Sequence, residues 1–171
     1  MYVIGIDPGY GMTGLVLVDD AGNLLDSYTL DRAPGEHEGV RAVNHANEIA
    51  GKLDEWIIEK CPPDVRVGIE TPTFNGNPLT YSKQWRLIQA IESNLCALAL
   101  QLKAVKITLA EVNPKTSKRV LTGNGDANKA DMVDKSPFQT CSYMPLPERE
   151  ALADAWGHAA AARVAKDVEE L

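Results

Sequence analysis

The sequence is poor in cysteine, in long apolar runs and in cations, and each shortage excludes something. Cysteine occurs at three positions, Cys61, Cys96 and Cys141. The number is odd, the spacing is wide, and no Cys-x-x-Cys pair is present. That excludes a disulfide framework and a thiolate zinc site, and it suits a reducing compartment such as the cytoplasm. No segment approaches the length of a membrane span. Met1-Tyr2 runs straight into β-forming residues, so no leader of charged then apolar character is expected. Internal repeats, low-complexity tracts and linkers are also missing, and 171 residues suit a single domain, 1–171, with a substantial core. Against 24 Asp and Glu stand only 17 Lys and Arg, a net charge of −7. Affinity for nucleic acid comes mainly from cations that neutralise phosphates. A nucleic-acid partner therefore requires Lys and Arg concentrated locally, or carboxylates neutralised by a bound divalent ion.

What is present has a clear order. Residues 2–8, 12–19 and 23–30 read as three short strands, broken by Pro8-Gly9 and by the hairpin signal "DDAGN". A helix is expected over 36–60, with Val40, Val43, Ala50, Leu53 and Ile57 as its apolar stripe. "VRVGIE", 65–70, is a buried strand, followed by the loop "TPTFNGNP", 71–78. A second long helix spans about 81–103 with Ile88, Ile91, Leu95, Leu98 and Leu102 along one side, and "VKITLAEV", 105–112, is a fifth strand. Helices follow over 114–122 and 127–135, then a Pro-bearing connector, then a last helix over about 147–169. The order βββ-α-β-α-β-α-α-α predicts an α/β fold. Its mixed five-stranded sheet has three antiparallel strands, then parallel additions, with helices on both faces.

The acids then acquire a pattern. Asp7 ends the first strand and Glu70 ends the fourth, each running into a proline turn. If these strands are parallel neighbours, both carboxylates leave one sheet edge, where sites in such sheets lie. In the last helix Glu150, Asp154 and His158 are spaced by four and share one face. Asp154 sits among Ala, Leu, Trp and Gly, a costly place for an acid without a partner or metal. Glu150 reads equally as a first-turn acid favoured by the helix dipole, and His158 as a satisfied, semi-buried histidine. Acids converging from two strand ends and a helix suit Mg²⁺, which takes hard oxygen ligands. Two such ions can activate water and stabilise the leaving oxygen of a phosphodiester.

"IGIDPGYGMTG", "VGIE", "GNGDANKADMV" and "LADAWGHAAAA", in that order, resemble the motifs of the RuvC family of Holliday-junction resolvases, which share the ribonuclease H-like fold. The resemblance implies metal-ligand roles for Asp7, Glu70 and Asp154, with Mg²⁺ as cofactor, Mn²⁺ able to substitute, and two ions per site. It carries two catalytic-region lysines onto Lys118 and Lys129, where a cation offsets negative charge at a scissile phosphate. It implies a homodimer on four-way or other branched DNA, and the apolar helix 81–103 is the expected dimer face. One departure stands out. The family usually places a fourth acid, sometimes a histidine, three residues before the last Asp, and here that residue is Ala151. Glu150, or alternatively His158, is the expected substitute in the catalytic metal site.

The DNA-facing expectation rests on "NPKTSKR", 113–119, and on Lys129. Together they give a local basic patch of Lys115, Lys118, Arg119 and Lys129. The backbone of "TGNGDAN", 122–128, suits close approach to phosphates, with Asp126 expected to cap the helix that Lys129 starts. Phe74 resembles the family's base-stacking aromatic, and any base can stack on such a ring. Two alternatives are kept: an ATP-binding phosphotransferase of the actin-like superfamily, and a catalytically inactive branched-DNA-binding module. The main reading needs no nucleotide cofactor and no membrane. It suits a bacterium or a phage-infected bacterial cell.

Overall fold

The computed structural model describes every residue except Tyr10, 32–37, Asn75 and 167–168, and the side chains of Glu38, Gly39 and Arg41 are also left aside. The strands are β1 (Tyr2–Asp7), β2 (Met12–Val18), β3 (Leu24–Asp31), β4 (Asp64–Glu70), β5 (Lys106–Val112) and β6 (Glu169–Glu170). The helices are α1 (Glu38–Glu59), α2 (Pro78–Gln101), α3 (Pro114–Thr122), α4 (Lys129–Asp134) and α5 (Leu146–Val164), with a short 3-10 turn at Pro137–Thr140. The sheet order is β3-β2-β1-β4-β5-β6. β1 runs antiparallel to β2 and parallel to β4, and β4 runs parallel to β5.

The expected mixed sheet is present, with six strands rather than five. β6 pairs antiparallel with the edge of β5 through Thr108↔Glu170 and Leu109↔Glu169. Correspondingly α5 stops at Val164 instead of reaching 169. Two residues are too few for any alternation, so this strand has no sequence signal and is defined only by its pairing with the edge of β5. The expected start of the first helix at 36–37 lies outside the described residues.

One face of the sheet carries Ile4, Ile6, Leu15, Leu17, Val67 and Ile69 against α1 and α2. The expected apolar stripe of α1 holds at Leu53 and Ile57, both buried, but fails in its first turns: Val40 and Val43 are exposed, and Ala42, Ala46, Ile49 and Trp56 are buried instead. Trp56 decides this register, because its indole is wholly buried and donates to Asp26 Oδ2 at 2.8 Å. α2 buries Ile88, Ile91, Leu95 and Leu98 in the chain's own core, so those residues are unavailable to a partner.

The other face mixes Val3, Val16, Val112, Leu152 and Phe138 with alanines of α5, and where α5 comes closest the sheet carries glycine. A Cβ added at Gly5 would collide with the carbonyl oxygen of Ala155, and one at Gly14 with that of Ala151. At Gly68 it would come within 2.7 Å of the His158 carbonyl oxygen. These glycines lie on β2, β1 and β4, so the alanine-rich α5 crosses three strands in direct backbone contact. That close approach brings Asp154 and His158 down to the sheet.

Candidate functional site

The parallel register Gly5↔Gly68 and Ile6↔Ile69 makes Asp7 and Glu70 leave the same edge side by side. α5 supplies Asp154 and, one turn later, His158. One oxygen of Asp7, one of Glu70 and a ring nitrogen of His158 all lie within 4.8 Å of one another. His158 is 2 % exposed. Its Nε2 stands 3.3 Å from Glu70 Oε2 without making a hydrogen bond, and its Nδ1 shares one of 2.7 Å with Ser117 Oγ. The other oxygen of Glu70 accepts from Gln84 Nε2 at 3.4 Å.

The electrostatics agree with this crowding. Burial, then the charges of Asp154 and Glu70, pushes Asp7 well above the ordinary carboxylate range, with Lys129 pulling the other way. Burial also raises Asp154, and Glu70 adds to it, while His158, Lys129 and Lys118 lower it. Asp7 thus feels Asp154, Glu70 and Lys129, and Asp154 feels Glu70, His158, Lys129 and Lys118. Carboxylates held this close lack the positive charge that would make their ionised forms comfortable.

Lys129 is the first residue of α4. Burial works to lower its pKa, but the hydrogen bond to Glu150 and the charges of Asp154, Glu150 and Asp7 outweigh it. Its Nζ lies 3.3 Å from Glu150 Oε2. Glu150 is thereby engaged with a lysine and stands outside the Asp7–Glu70–His158 cluster. Asp126 is not the cap of α4. Asn128 accepts from Asp131 N at 3.0 Å while Asp131 Oδ2 accepts from Asn128 N at 2.9 Å, a reciprocal capping box. Asp126 instead pairs with Lys115 at 3.0 Å, and Lys118 and Arg119 also act on its charge. The basic patch therefore carries an acid at its centre. Phe74 is 63 % exposed, its ring braced edge-on by Tyr81 at 5.7 Å.

Several contributors escaped the sequence reading. Ser117 is the buried residue of α3, and its only sequence signal is a small polar residue between two lysines. Gly157 admits it, since a Cβ there would meet Met132 Cε at 2.8 Å and Ser117 Cβ at 3.4 Å. Thr13 is fully buried, with its Oγ1 3.2 Å from the Gly9 carbonyl oxygen and 2.7 Å from His45 Nε2. That pair ties the hairpin after Asp7 to α1.

Comparison with known proteins agrees with the motif order. The family model described as crossover junction endodeoxyribonuclease RuvC matches residues 3–155. A RuvC from Brachyspira hyodysenteriae is 30 % identical over 99 % of this chain and 100 % of its own length. One from Endomicrobium trichonymphae is 32 % identical over 92 % of this chain and 80 % of its own. In fold, the chain resembles Thermus thermophilus RuvC in complex with Holliday junction substrate, with a TM-score of 0.68 at 24 % identity, covering 100 % of this chain and 99 % of that one. It also resembles the yeast mitochondrial Holliday junction resolvase, with a TM-score of 0.61 at 13 % identity, covering 94 % and 77 %. A sheet with two acids at adjacent strand ends and a third on an Ala/Gly-seated helix, matched by one family model over nearly all of its length, places this chain in the RuvC family of crossover junction endodeoxyribonucleases.

Proposed function

We propose that this chain is a metal-dependent endonuclease that resolves Holliday junctions or related branched DNA, acting as a homodimer whose paired sites make symmetric cuts. The whole chain serves as one nuclease domain. The observation that carries this reading is the cluster of Asp7, Glu70 and a buried His158 ring nitrogen, with the charge of Asp154, which is not itself one of that cluster, acting on Asp7.

The donor set fits a divalent cation: hard carboxylate oxygens whose charges repel, beside a buried imidazole nitrogen. Asp7, Glu70 and Asp154 would hold it, and Glu150 and His158 compete for the position that Ala151 leaves open. Mg²⁺ is the expected ion, with Mn²⁺ as substitute and two ions per site. Bound there, the metal supplies an activated water and charge stabilisation for the leaving oxygen. The chain's own residues do the rest. Glu150 holds the Lys129 ammonium beside the carboxylates, where it can meet a phosphate oxygen as negative charge develops. Lys118 acts on Asp154 from α3 and can do the same. Lys115 and Arg119 extend cationic contact along the DNA backbone. Phe74, held by Tyr81, offers a stacking face that contributes about 1–3 kcal/mol per base. With the core stripe of α2 already buried, a dimer would use its exposed side, where Trp85 and Leu100 lie. No helix among the described residues is long and apolar enough to cross a membrane, and free Cys61, Cys96 and Cys141 suit the reducing cytoplasm of a bacterial host.

The test is a labelled four-way junction with a linear duplex as control, incubated with wild type and Asp7→Asn in Mg²⁺ or Mn²⁺. Wild type should nick opposed strands at symmetric positions, and the variant should bind without cutting. A wild type that cuts no branched substrate, or a variant that cuts equally well, overturns the reading.

A further inference from the structure

We propose that His158, held by Ser117, takes the ligand position that Ala151 leaves empty, and that it tilts the site toward a first-row transition ion such as Mn²⁺ over Mg²⁺. This rests on the metal-nuclease reading above.

Three observations converge on it. Ala151 cannot contribute, because it is buried with its backbone against Gly14. Glu150, the other candidate, has its carboxylate on Lys129. His158 alone of the three reaches the cluster, with a ring nitrogen within 4.8 Å of ligand oxygens from both Asp7 and Glu70, and Nε2 3.3 Å from Glu70 Oε2.

The histidine is held at its other nitrogen. Ser117 Oγ lies 2.7 Å from Nδ1, and both residues are nearly fully buried. When Nδ1–H donates to Ser117, Nε2 turns a lone pair toward the Glu70 carboxylate at 3.3 Å. Two electron-rich atoms at that separation repel unless a cation lies between them. If Nε2 carried a hydrogen it could instead bond Glu70, yet the ring is aligned so that no hydrogen bond forms. Both features suit a nitrogen aimed at an ion. A second partner that fixes the ring is the usual companion of a metal-binding histidine. Imidazole nitrogen favours transition ions, whereas Mg²⁺ prefers oxygen and gives up its waters reluctantly.

The decisive measurement is binding rather than cleavage. Metal-stripped protein is titrated with Mn²⁺, with the free aquo ion followed by electron paramagnetic resonance, and then competed with Mg²⁺. Wild type should prefer Mn²⁺ clearly. His158→Gln should lose about 10–100-fold in Mn²⁺ affinity and much less for Mg²⁺. Ser117→Ala, which keeps the imidazole and removes only its anchor, should lose roughly 10-fold for Mn²⁺ and serves if the buried glutamine prevents folding. Circular dichroism confirms that each variant is folded. An unchanged Mn²⁺-to-Mg²⁺ ratio in folded His158→Gln or Ser117→Ala overturns the proposal, as does a collapse of the ratio in Glu150→Gln instead. A folded wild type that binds neither ion overturns the whole metal reading. One that binds both, with a preference indifferent to residues 117 and 158, overturns this inference alone.

Discussion

The two faces of the sheet follow different packing rules. Against α1 and α2 the contact is made by large side chains, Ile, Leu, Val and the buried Trp56. Against α5, beside Val3, Val16 and Leu152, the closest contacts are made by glycine and alanine with backbone nearly touching backbone. A layer of large side chains removes much apolar surface from water, about 1.5–3 kcal/mol for each fully buried Leu or Ile. It also has rotamers with which to absorb a change. The glycine–alanine contacts remove less surface and cannot adjust, since at those points no side chain lies between the two backbones. The first layer supplies stability; the second fixes a distance. Asp154 and His158, which the proposed metal site needs at a fixed distance, are on the second.

The comparison can be broken first at the site itself. Asp7→Asn should reduce junction cleavage by at least about 100-fold, beyond the effect of losing an outer-shell partner of a metal. The same substitution should stabilise metal-free protein. The folded-state pKa values of Asp7 and Asp154 are raised, so between the unfolded and folded values the native state holds the extra protons. Stability is then greatest below the unfolded value, about pH 4, and declines as pH rises through the folded one. Melting in chelator should follow that decline, Asp7→Asn should flatten it, and added divalent ion should offset it. A melting temperature indifferent to both pH and metal would remove the crowding of charges from the account.

The next changes separate the layers. Leu53→Ala, on the α1 face, should cost about 2–5 kcal/mol in denaturant melts while leaving the Mn²⁺ affinity of the folded fraction intact. Gly5→Ala, on the α5 face, adds a single methyl against the backbone of Ala155 and Ala159; it should cost at least about 1–3 kcal/mol and, unlike Leu53→Ala, weaken metal binding by lifting α5 from the sheet. Equal loss of metal affinity in both variants would erase the distinction between a stabilising layer and a positioning one. The smallest effect is expected on the surface attached to the α5 layer. Asp126→Asn releases Lys115 and should steepen the log–log salt dependence of junction binding by roughly one, as for one added phosphate contact. Binding isotherms at several salt concentrations read this directly, and an unchanged slope would mean that Lys115 does not meet DNA.

Much of this was legible before any coordinates. The strands, the proline turns after Asp7 and Glu70, and the polar-poor setting of Asp154 each carry a local signal of period, breaker or misplaced charge. The phosphotransferase alternative, which shares an Asp-Gly hairpin, fell only on membership of the RuvC family. Local signal failed where a partner made the choice. Val40 and Val43 fit a helical stripe as well as Ala42 and Ala46 do, and only the seating of Trp56 selects between them. Asp126 and Asn128 are both good caps, and the salt bridge to Lys115 leaves the role to Asn128. Ser117 carries no periodic or compositional mark of its bond to His158, forty-one positions away.

The sequence by itself determined the fold class and singled out Asp7, Glu70 and Asp154 as candidates, because secondary structure and the burial of a lone carboxylate are set by neighbours within a few residues. Only the tertiary structure decided which of Glu150 and His158 faces those acids. Both lie one turn from Asp154, on the same helix face, and nothing local separates them. The separation comes from Lys129 and Ser117, brought by other helices to opposite ends of that face. It is held by glycines on three strands that let α5 lie flat enough for either to matter.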